Sequence, residues 1–236
     1  MLNAVKEKFD LRIKYLLRQF YSDKSNNLKL RLLERATDSS CEYIENNMAH
    51  VKSVNTNFKV MDEALSHVKI EGLKLEFGVF SGRTINHIAE FFKKDKIYGF
   101  DSFEGLPEFW RDGFDKGFFD VKNNLPKVSE NVELVKGWFN ETLPGFVQDK
   151  RENVAFLHVD CDLYSSTKTI FKELAPFIVS GTVIVFDEYF NYPGWQQGEF
   201  KAFQEFVAQY HVEYEYITYN NRHEQVALII KKISNS

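Results

Sequence analysis

The chain has 236 residues, and its 30 Lys and Arg against 34 Asp and Glu give a formal net charge of -4 at pH 7. At about 100–200 residues per domain, this length predicts one large domain or one domain with an added lobe. Hydrophobic residues make up 44% of the chain, which excludes a disordered protein. The mild acidity argues against a nucleic-acid binder, which usually carries a basic face. The aromatic share of 16% predicts aromatic side chains at pockets as well as in the core.

Cysteine spacing and the lack of long apolar runs exclude further classes. The two cysteines, Cys41 and Cys161, form no paired-spacing motif, which excludes a disulfide scaffold and a zinc–thiolate site. No apolar run approaches the roughly 18–20 residues of a membrane span. Charged residues interrupt the first 17 residues, unlike a secretory signal. We therefore expect a cytoplasmic protein with no membrane span.

Residues 1–70 differ from the rest of the chain in composition and in the spacing of their apolar residues. They contain no Gly and no Pro, and their apolar residues recur at three- and four-residue spacing, as in amphipathic helices. The pattern predicts a helix up to a break at 22–27 and further helices over 28–48 and 58–69. The segment carries no chemical motif, and we expect an N-terminal helical lobe that acts as a lid or as a dimer interface.

From residue 71 onwards, short apolar runs alternate with helix-competent segments. Strands that alternate with helices predict parallel βαβ units. VEYEYITYN and EQVALIIKK, separated by three residues, predict an antiparallel hairpin at the C-terminal end. The predicted fold class is α/β: a doubly wound, mostly parallel, seven-stranded Rossmann-like sheet. Residues 104–130 show no regular period and are expected to form a long functional loop. The predicted parallel strands are 73–80, 96–103, 132–137, 154–162 and 181–189.

Ligands of an open parallel sheet bind beyond the carboxyl ends of its strands, so these ends hold the candidate site residues. The first end, EFGVFSGRT, begins at Glu76 and is a glycine turn into a helix. It is one residue shorter than a phosphate-binding P-loop and lacks the middle glycine of a dinucleotide fingerprint. It also fits the looser turn of S-adenosylmethionine (SAM) methyltransferases. A glycine needed only for strand–helix packing is the alternative.

Two further strand ends favour a ligand that contains a nucleoside. Asp101 follows the second strand, where a carboxylate accepts the hydrogen bonds of a ribose diol, in NAD and SAM alike. Trp138 follows the third strand and is placed to stack on an adenine ring. The alternatives are a solvated Asp at a strand end and a Trp of the core.

Four carboxylates at the next two strand ends form the strongest group. Asp160 and Asp162 lie two residues apart and project to the same side of an extended strand, and Asp187 and Glu188 end the following strand. Neighbouring strands lie about 4.8 Å apart, so these groups converge and repel each other unless a divalent cation binds. An all-oxygen ligand set favours Mg²⁺, Ca²⁺ or Mn²⁺ over zinc. Helix capping by some of these residues is the alternative.

The segments LEFGVFSGRT, YGFDSFEGLP, HVDCDLYSST and GTVIVFDEY, in this order, resemble the macrocin O-methyltransferase (TylF-like) family over residues 70–230. That family consists of class I, SAM-dependent and Mg²⁺-dependent sugar O-methyltransferases. The resemblance implies that residues 71–236 form a SAM-dependent methyltransferase domain. The chain departs from the family at Glu188, where Asp is common, and in the following segment FNYPGWQQGEF, which normally shapes the acceptor site.

The resemblance also implies roles for the residues around the cofactor. Glu76, Gly78 and Ser81 are expected to surround the methionine part of SAM. Asp101 and Ser102 are expected to hold its ribose. The full predicted cofactor-binding set is Glu76, Gly78, Val79, Phe80, Ser81, Thr84, Asp101, Ser102, Gly137, Trp138 and Asp160.

The reaction that the resemblance implies is methyl transfer from SAM to a hydroxyl of a sugar or a sugar-bearing small molecule, such as a polysaccharide precursor. Asp160, Asp187 and Glu188 are implied as ligands of Mg²⁺ or another divalent cation. Asp162 is implied as the general base that takes the hydroxyl proton.

For the acceptor-binding residues and for the partners of the chain, the sequence gives less detailed predictions. Aromatic residues between Tyr189 and Trp195 and in the loop 109–119 are expected to form an acceptor wall. His158 and His223 are rival bases, interpreted as a core histidine and a solvated turn residue. The expected partners are the small-molecule acceptor and further copies of the chain in a homodimer or higher homo-oligomer, with no nucleic acid. An NAD-dependent sugar dehydrogenase or epimerase and a non-catalytic SAM- or nucleotide-binding module are the alternative functions.

Overall fold

The structure is a computed structural model that describes residues 2–234. Helices and strands alternate from residue 71 onwards, in the chain order that the sequence predicts. The helices are α1 (Leu2–Asn26), α2 (Leu28–Asn47), α3 (Asn57–Ser66), α4 (Arg83–Phe91), α5 (Phe139–Lys150), α6 (Tyr164–Leu174) and α7 (Glu199–Tyr210). The strands are β1 (Lys52–Val54), β2 (Leu73–Phe77), β3 (Ile97–Asp101), β4 (Val132–Lys136), β5 (Val154–Val159), β6 (Ile178–Phe186), β7 (Glu213–Asn220) and β8 (Val226–Lys232).

One mixed sheet contains these strands in the order β1-β7-β8-β6-β5-β2-β3-β4. The strands from β6 to β4 are parallel, and β8 runs antiparallel to both β6 and β7. The doubly wound α/β class and the C-terminal hairpin are therefore confirmed.

The predicted count of seven strands is wrong by one, because Lys52–Val54 forms a short edge strand, β1, parallel to β7. This segment lies inside the region expected to be wholly helical. None of its three side chains is fully buried, so it gives no apolar run that a sequence pattern could detect.

Helices cover both faces of the sheet, which explains why the central strands are apolar throughout. All residues of β2 and β5 are buried, as is typical of parallel strands covered on both sides. The helices α3 and α4 pack on one face, for example through Val60 and Ile88. The helices α2, α5, α6 and α7 pack on the other face, for example through Leu143, Phe171 and Phe203.

The N-terminal helices have different surroundings. While α3 lies on the sheet, α2 contacts the chain after β6, where Trp195 Nε1 donates to Ser39 Oγ at 3.0 Å. In α1, large apolar side chains such as Phe9 and Leu16 are exposed. Within residues 2–234, no helix combines the length and the apolar character that crossing a bilayer requires.

Candidate functional site

The carboxyl ends of β2, β3, β5 and β6 surround a cavity of about 580 Å³. A volume in this range suits a small-molecule ligand or cofactor. Two of the predicted site residues, Glu76 and Gly137, do not line the cavity. The predicted residues that line it are Gly78, Val79, Phe80, Ser81, Thr84, Asp101, Ser102, Trp138, Asp160, Asp162, Asp187 and Glu188.

Contact between two strand ends shapes the turn after β2. Gly78 has a φ of +94°, in the region that favours glycine, and a Cβ there would overlap the carbonyl oxygen of Asp160. The backbone N–H groups of Val79 and Phe80 both donate to Asp101 Oδ2, each at 2.8 Å. Packing between the ends of β2 and β5 therefore requires Gly78, whereas the alternative of strand–helix packing is not supported, since the atoms that an added Cβ would meet lie after β5.

Replacing Gly78 by Ala is expected to lower the free energy of unfolding by about 3 kcal/mol, because backbone strain and the overlap act together. The measurement is urea unfolding followed by circular dichroism. The control is Gly145→Ala in α5, where an added Cβ meets nothing within 4 Å and should gain up to about 1 kcal/mol of helix propensity. Equal stability of Gly78→Ala and the wild type would contradict the packing role.

Asp101, at the end of β3, organises the loops around it. Its Oδ1 accepts a hydrogen bond from Phe103 N at 2.7 Å, in addition to the two that Oδ2 accepts from the turn. Ser102 Oγ donates to the Gly105 carbonyl at 3.3 Å and accepts from Glu104 N at 3.1 Å. A carboxylate has about four acceptor sites, so Asp101 keeps one for a ligand hydroxyl rather than the two that a ribose diol would use.

Glu76 is fully buried behind the turn and does not reach the cavity. Thr84 Oγ1 donates to its Oε1 at 3.0 Å, and His158 Nδ1 lies 2.9 Å from its Oε2. Burial raises the pKa of Glu76, and the hydrogen bond with His158 opposes that rise. The predicted contact of Glu76 with the methionine part of SAM therefore has no support in this geometry. Gly137 is also outside the cavity, although its neighbour Trp138 lines it.

The structure brings the four predicted carboxylates together in two overlapping groups. Ligand atoms of Asp160, Asp162 and Glu188 all lie within 4.8 Å of one another, and the same holds for His158, Asp160 and Asp187. The convergence follows from the sheet, because β5 and β6 are parallel neighbours that end at the same edge.

Burial makes this concentration of acids unfavourable in its charged form. It raises the pKa of Asp160 well above the usual range, and the charges of Asp187 and Asp162 raise it further. Burial and the same two neighbours also raise the pKa of Glu188 well above its usual range. Burial raises the pKa of Asp162 to about 7, although the charge of Arg111 opposes the rise.

A hard divalent cation fits this group of residues. The buried Oε2 of Glu188 has no hydrogen-bond partner among the residues that the structure describes. The group around it supplies carboxylate oxygens, the ligands that Mg²⁺, Ca²⁺ and Mn²⁺ prefer. A bound cation would also offset the repulsion between Asp160, Asp162 and Glu188.

Two polar residues outside the strand-end motifs support the site. Glu199, at the start of α7, is fully buried; its Oε2 accepts from Glu188 N at 3.2 Å and its Oε1 from Cys161 N at 3.4 Å. One carboxylate thus ties the chain after β5 to the chain after β6. Gln225 Nε2 donates to Asp187 Oδ2 at 3.1 Å. Neither residue belongs to a sequence motif, so only the folded chain reveals them.

Arg111 brings a positive charge to the acidic side of the cavity. It lies in the 104–130 segment, which contains turns and bends and an isolated bridge between Arg111 and Phe114, as its lack of a period predicts. Arg111 Nη1 donates to both carboxylate oxygens of Glu224, at 3.0 and 3.1 Å. Its guanidinium also lies 3.8 Å from the centre of the Trp110 ring.

The predicted acceptor wall is wrong for the residues after β6. Tyr189, Phe190, Tyr192 and Trp195 are buried in the core and do not line the cavity. Their burial follows from the packing of α2, whose Tyr43 ring meets the Tyr189 ring edge to face at 6.3 Å. The aromatic residues of the 109–119 loop that do line the cavity are Trp110, Phe114 and Phe119.

Comparison with known proteins adds a family description to this geometry. Residues 75–189 match the family model described as a methyltransferase domain. The demethyldecarbamoylnovobiocin O-methyltransferase of Streptomyces niveus is 29% identical over 136 residues, covering 50% of this chain and 49% of that protein. The 8-demethyl-8-(2,3-dimethoxy-alpha-L-rhamnosyl)-tetracenomycin-C 4'-O-methyltransferase of Streptomyces olivaceus is 28% identical over 115 residues, covering 40% and 42%. The chain therefore spans half or less of the length of these relatives.

Solved structures share the fold. The calicheamicin methyltransferase CalS11 superposes with a TM-score of 0.57 at 23% identity, over 73% of this chain and 76% of that one. The O-methyltransferase NovP superposes with a TM-score of 0.54 at 23% identity, over 74% and 80%. Residues 75–189 thus carry the sequence pattern of a methyltransferase domain, and the sheet that contains them has the class I methyltransferase fold.

Proposed function

We propose that the chain is a SAM-dependent O-methyltransferase that acts, with a divalent cation, on a hydroxyl of a sugar or a sugar-bearing small molecule, as in the macrocin-type family. One observation carries the proposal: the same cavity is lined by the glycine turn with Asp101 and by the carboxylates with Asp162. The methyltransferase-domain match over residues 75–189 supports the reaction type. Both relatives are named as O-methyltransferases, and one name includes a rhamnosyl group, which supports a sugar hydroxyl as acceptor.

The glycine turn and the two strand ends beside it are the proposed cofactor site. When bound, SAM supplies an electrophilic methyl group on a sulfonium ion. Asp101 offers its remaining acceptor site to a ribose hydroxyl, and the Trp138 ring offers an aromatic face for adenine. Ser81 and Thr84 line the same part of the cavity and supply hydroxyl groups for polar contacts.

Asp162 is the proposed general base. A divalent cation, when bound, lowers the pKa of a hydroxyl group that coordinates it, and Asp160, Asp187 and Glu188 are the residues proposed to hold it. Asp162 borders the same cavity and accepts the proton that the hydroxyl loses. Burial raises the pKa of Asp162 to about 7 in the metal-free protein, where about half of the carboxyl groups are deprotonated at neutral pH and are basic enough to take a proton.

The acceptor is proposed to lie against the loop 104–130. Trp110 and Phe114 line the cavity there, and aromatic faces suit the apolar side of a sugar ring. Lys29 of α2 donates to Asp112 of this loop at 2.7 Å, and this contact with the acceptor side supports the role of residues 1–70 as a lid. The exposed apolar side chains of α1 support the alternative role of this lobe as the interface of a homo-oligomer.

The test is calorimetric titration with SAM and with NAD, followed by a screen of sugars, nucleotide sugars and diols for SAM consumption. We expect SAM to bind and NAD not to bind, and Asp101→Asn to weaken SAM binding about 10-fold, or about 1.4 kcal/mol. Asp115→Asn, at an exposed position of the loop, is the matched control. NAD binding without SAM binding would overturn the proposal in favour of a dehydrogenase or epimerase. SAM binding with no turnover on any acceptor would favour a non-catalytic module.

A further inference from the structure

His158 is a buried polar side chain for which the proposed function has no use. It lies on β5, two residues before Asp160, and its side chain is 1% exposed. Its Nε2 has no hydrogen-bond partner among the residues that the structure describes, a property it shares there only with Glu188 Oε2 among buried side-chain nitrogen and oxygen atoms. An unpaired buried nitrogen is unfavourable, and a ligand bound to it would remove that cost.

The other ring nitrogen of His158 is already engaged. Its Nδ1 lies 2.9 Å from Glu76 Oε2, and Thr84 Oγ1 donates to the second oxygen of the same carboxylate. A carboxylate partner makes Nδ1 the N–H donor and leaves the lone pair on Nε2. In proteins, metal-binding histidines usually donate their other ring N–H to a group such as a carboxylate, which orients the ring and makes the ligand nitrogen more basic.

The Nε2 atom faces two carboxylates. It lies 4.0 Å from Asp187 Oδ1, and one ring nitrogen of His158 lies within 4.8 Å of an oxygen of Asp160 and of an oxygen of Asp187. Gln225 Nε2 donates to the other oxygen of Asp187, at 3.1 Å, and thereby orients this carboxylate. Acceptor atoms that face one another repel unless a cation lies between them. The 4.0 Å between His158 Nε2 and Asp187 Oδ1 is wider than the roughly 3.4 Å between two ligands of a tetrahedral ion, so binding an ion draws these two atoms closer together.

We propose that His158 Nε2, Asp160 and Asp187 form a mixed nitrogen–oxygen site for a divalent first-row transition-metal ion, with Glu76 as the residue that orients the histidine. Imidazole nitrogen suits the ions from Mn²⁺ to Zn²⁺, whereas Mg²⁺ takes oxygen ligands. A transition-metal ion bound there would lie on the inner side of the carboxylates and would share Asp160 and Asp187 with the cation site of the proposed function. The inference extends the proposed function by naming a class of metal ion. It depends on the proposed function only for the role of that ion in methyl transfer.

The experiment is electron spin echo envelope modulation (ESEEM) spectroscopy of untagged, SAM-free wild-type protein loaded with one equivalent of Mn²⁺. We expect modulation from a coordinated ¹⁴N nucleus. His158→Gln should remove that modulation and weaken Mn²⁺ binding about 10–100-fold, and Glu76→Gln should weaken it within the same range. The binding of Mg²⁺ should change less than that of Mn²⁺. The matched control is His50→Gln, which removes an exposed histidine and should leave the spectrum unchanged.

The wild-type spectrum decides the proposal even if His158→Gln does not fold. Bound Mn²⁺ without ¹⁴N modulation would overturn it and would leave the oxygen-only cation of the proposed function intact. Modulation that persists in folded His158→Gln would also overturn it. No binding of Mn²⁺ would overturn both the inference and the metal part of the proposed function, while SAM titration in EDTA tests the methyltransferase part separately.

Discussion

Replacing Asp162 by Asn is expected to lower the rate of methyl transfer by about 10²–10⁴-fold, the usual contribution of a positioned general base. Asn has nearly the same shape, but it cannot accept the hydroxyl proton. SAM affinity, measured by calorimetry, should change less than about 3-fold, because Asp162 is not among the proposed cofactor contacts.

The pH profile separates this role from a structural one. Since the active form of Asp162 is the carboxylate, the rate should rise with pH through the pKa of this group, which burial raises to about 7 in the metal-free protein. A bound cation adds positive charge and should move this rise to lower pH. Arg111→Gln should move it to higher pH, because the charge of Arg111 lowers the pKa of Asp162.

The control for both measurements is Asp149→Asn at an exposed position of α5, outside the proposed acceptor loop, which should keep the wild-type rate and profile. Saturating SAM and one acceptor from the screen are used throughout. An Asp162→Asn variant that folds, binds SAM and retains more than a tenth of the wild-type rate would show that another group takes the proton.

The sequence was most informative where local pattern and sheet topology agree. The run HVDCD puts Asp160 and Asp162 at the end of a strand, and a parallel sheet gathers such ends at one edge, so the carboxylate cluster was predictable. The burial of His158 was predictable too, since it lies mid-strand. Its partner Glu76 is 82 residues away along the chain, and no local pattern connects the two.

The errors arise where packing between distant segments decides the outcome. An aromatic run after a strand suits a pocket wall or a core equally well, and the docking of α2 buries Tyr189 and Trp195. Glu199 opens a helix in a segment with no motif, yet its carboxylate accepts hydrogen bonds from the chain after β5 and after β6. The ribose contact of Asp101 stays a prediction, but no sequence pattern shows that the backbone already uses three of its acceptor sites.

The metal-free protein is expected to become more stable as the pH falls from 8 to 6. Burial raises the pKa values of Asp160, Asp162, Glu188 and Glu199 in the folded state, whereas in the unfolded chain they stay near about 4. Between the two values the folded state binds more protons than the unfolded state, so the stability falls as the pH rises. For Asp162 this window runs from about 4 to about 7.

The size of the effect is measurable. One such group changes the free energy of unfolding by about 1.4 kcal/mol per pH unit inside its window, which is about 3–6 °C in melting temperature for a chain of this size. Thermal unfolding in EDTA at pH 6, 7 and 8 gives the profile. Asp160→Asn should flatten it and should be more stable than the wild type at pH 8, because it removes a buried charge.

A divalent cation should reverse this trend, because its ligands must be deprotonated to bind it. At 100 times its dissociation constant, a cation adds about 2.7 kcal/mol of stability. That gain should be larger at pH 8 than at pH 6, where protons compete for Asp160 and Glu188, and it should be smaller in Asp160→Asn than in the wild type. If the stability of the metal-free protein does not change with pH, burial and neighbouring charges do not raise the pKa values of these carboxylates. If the stability of the metal-free protein falls with rising pH as expected but no divalent cation changes it, the carboxylates repel one another and something other than a metal ion must offset that repulsion.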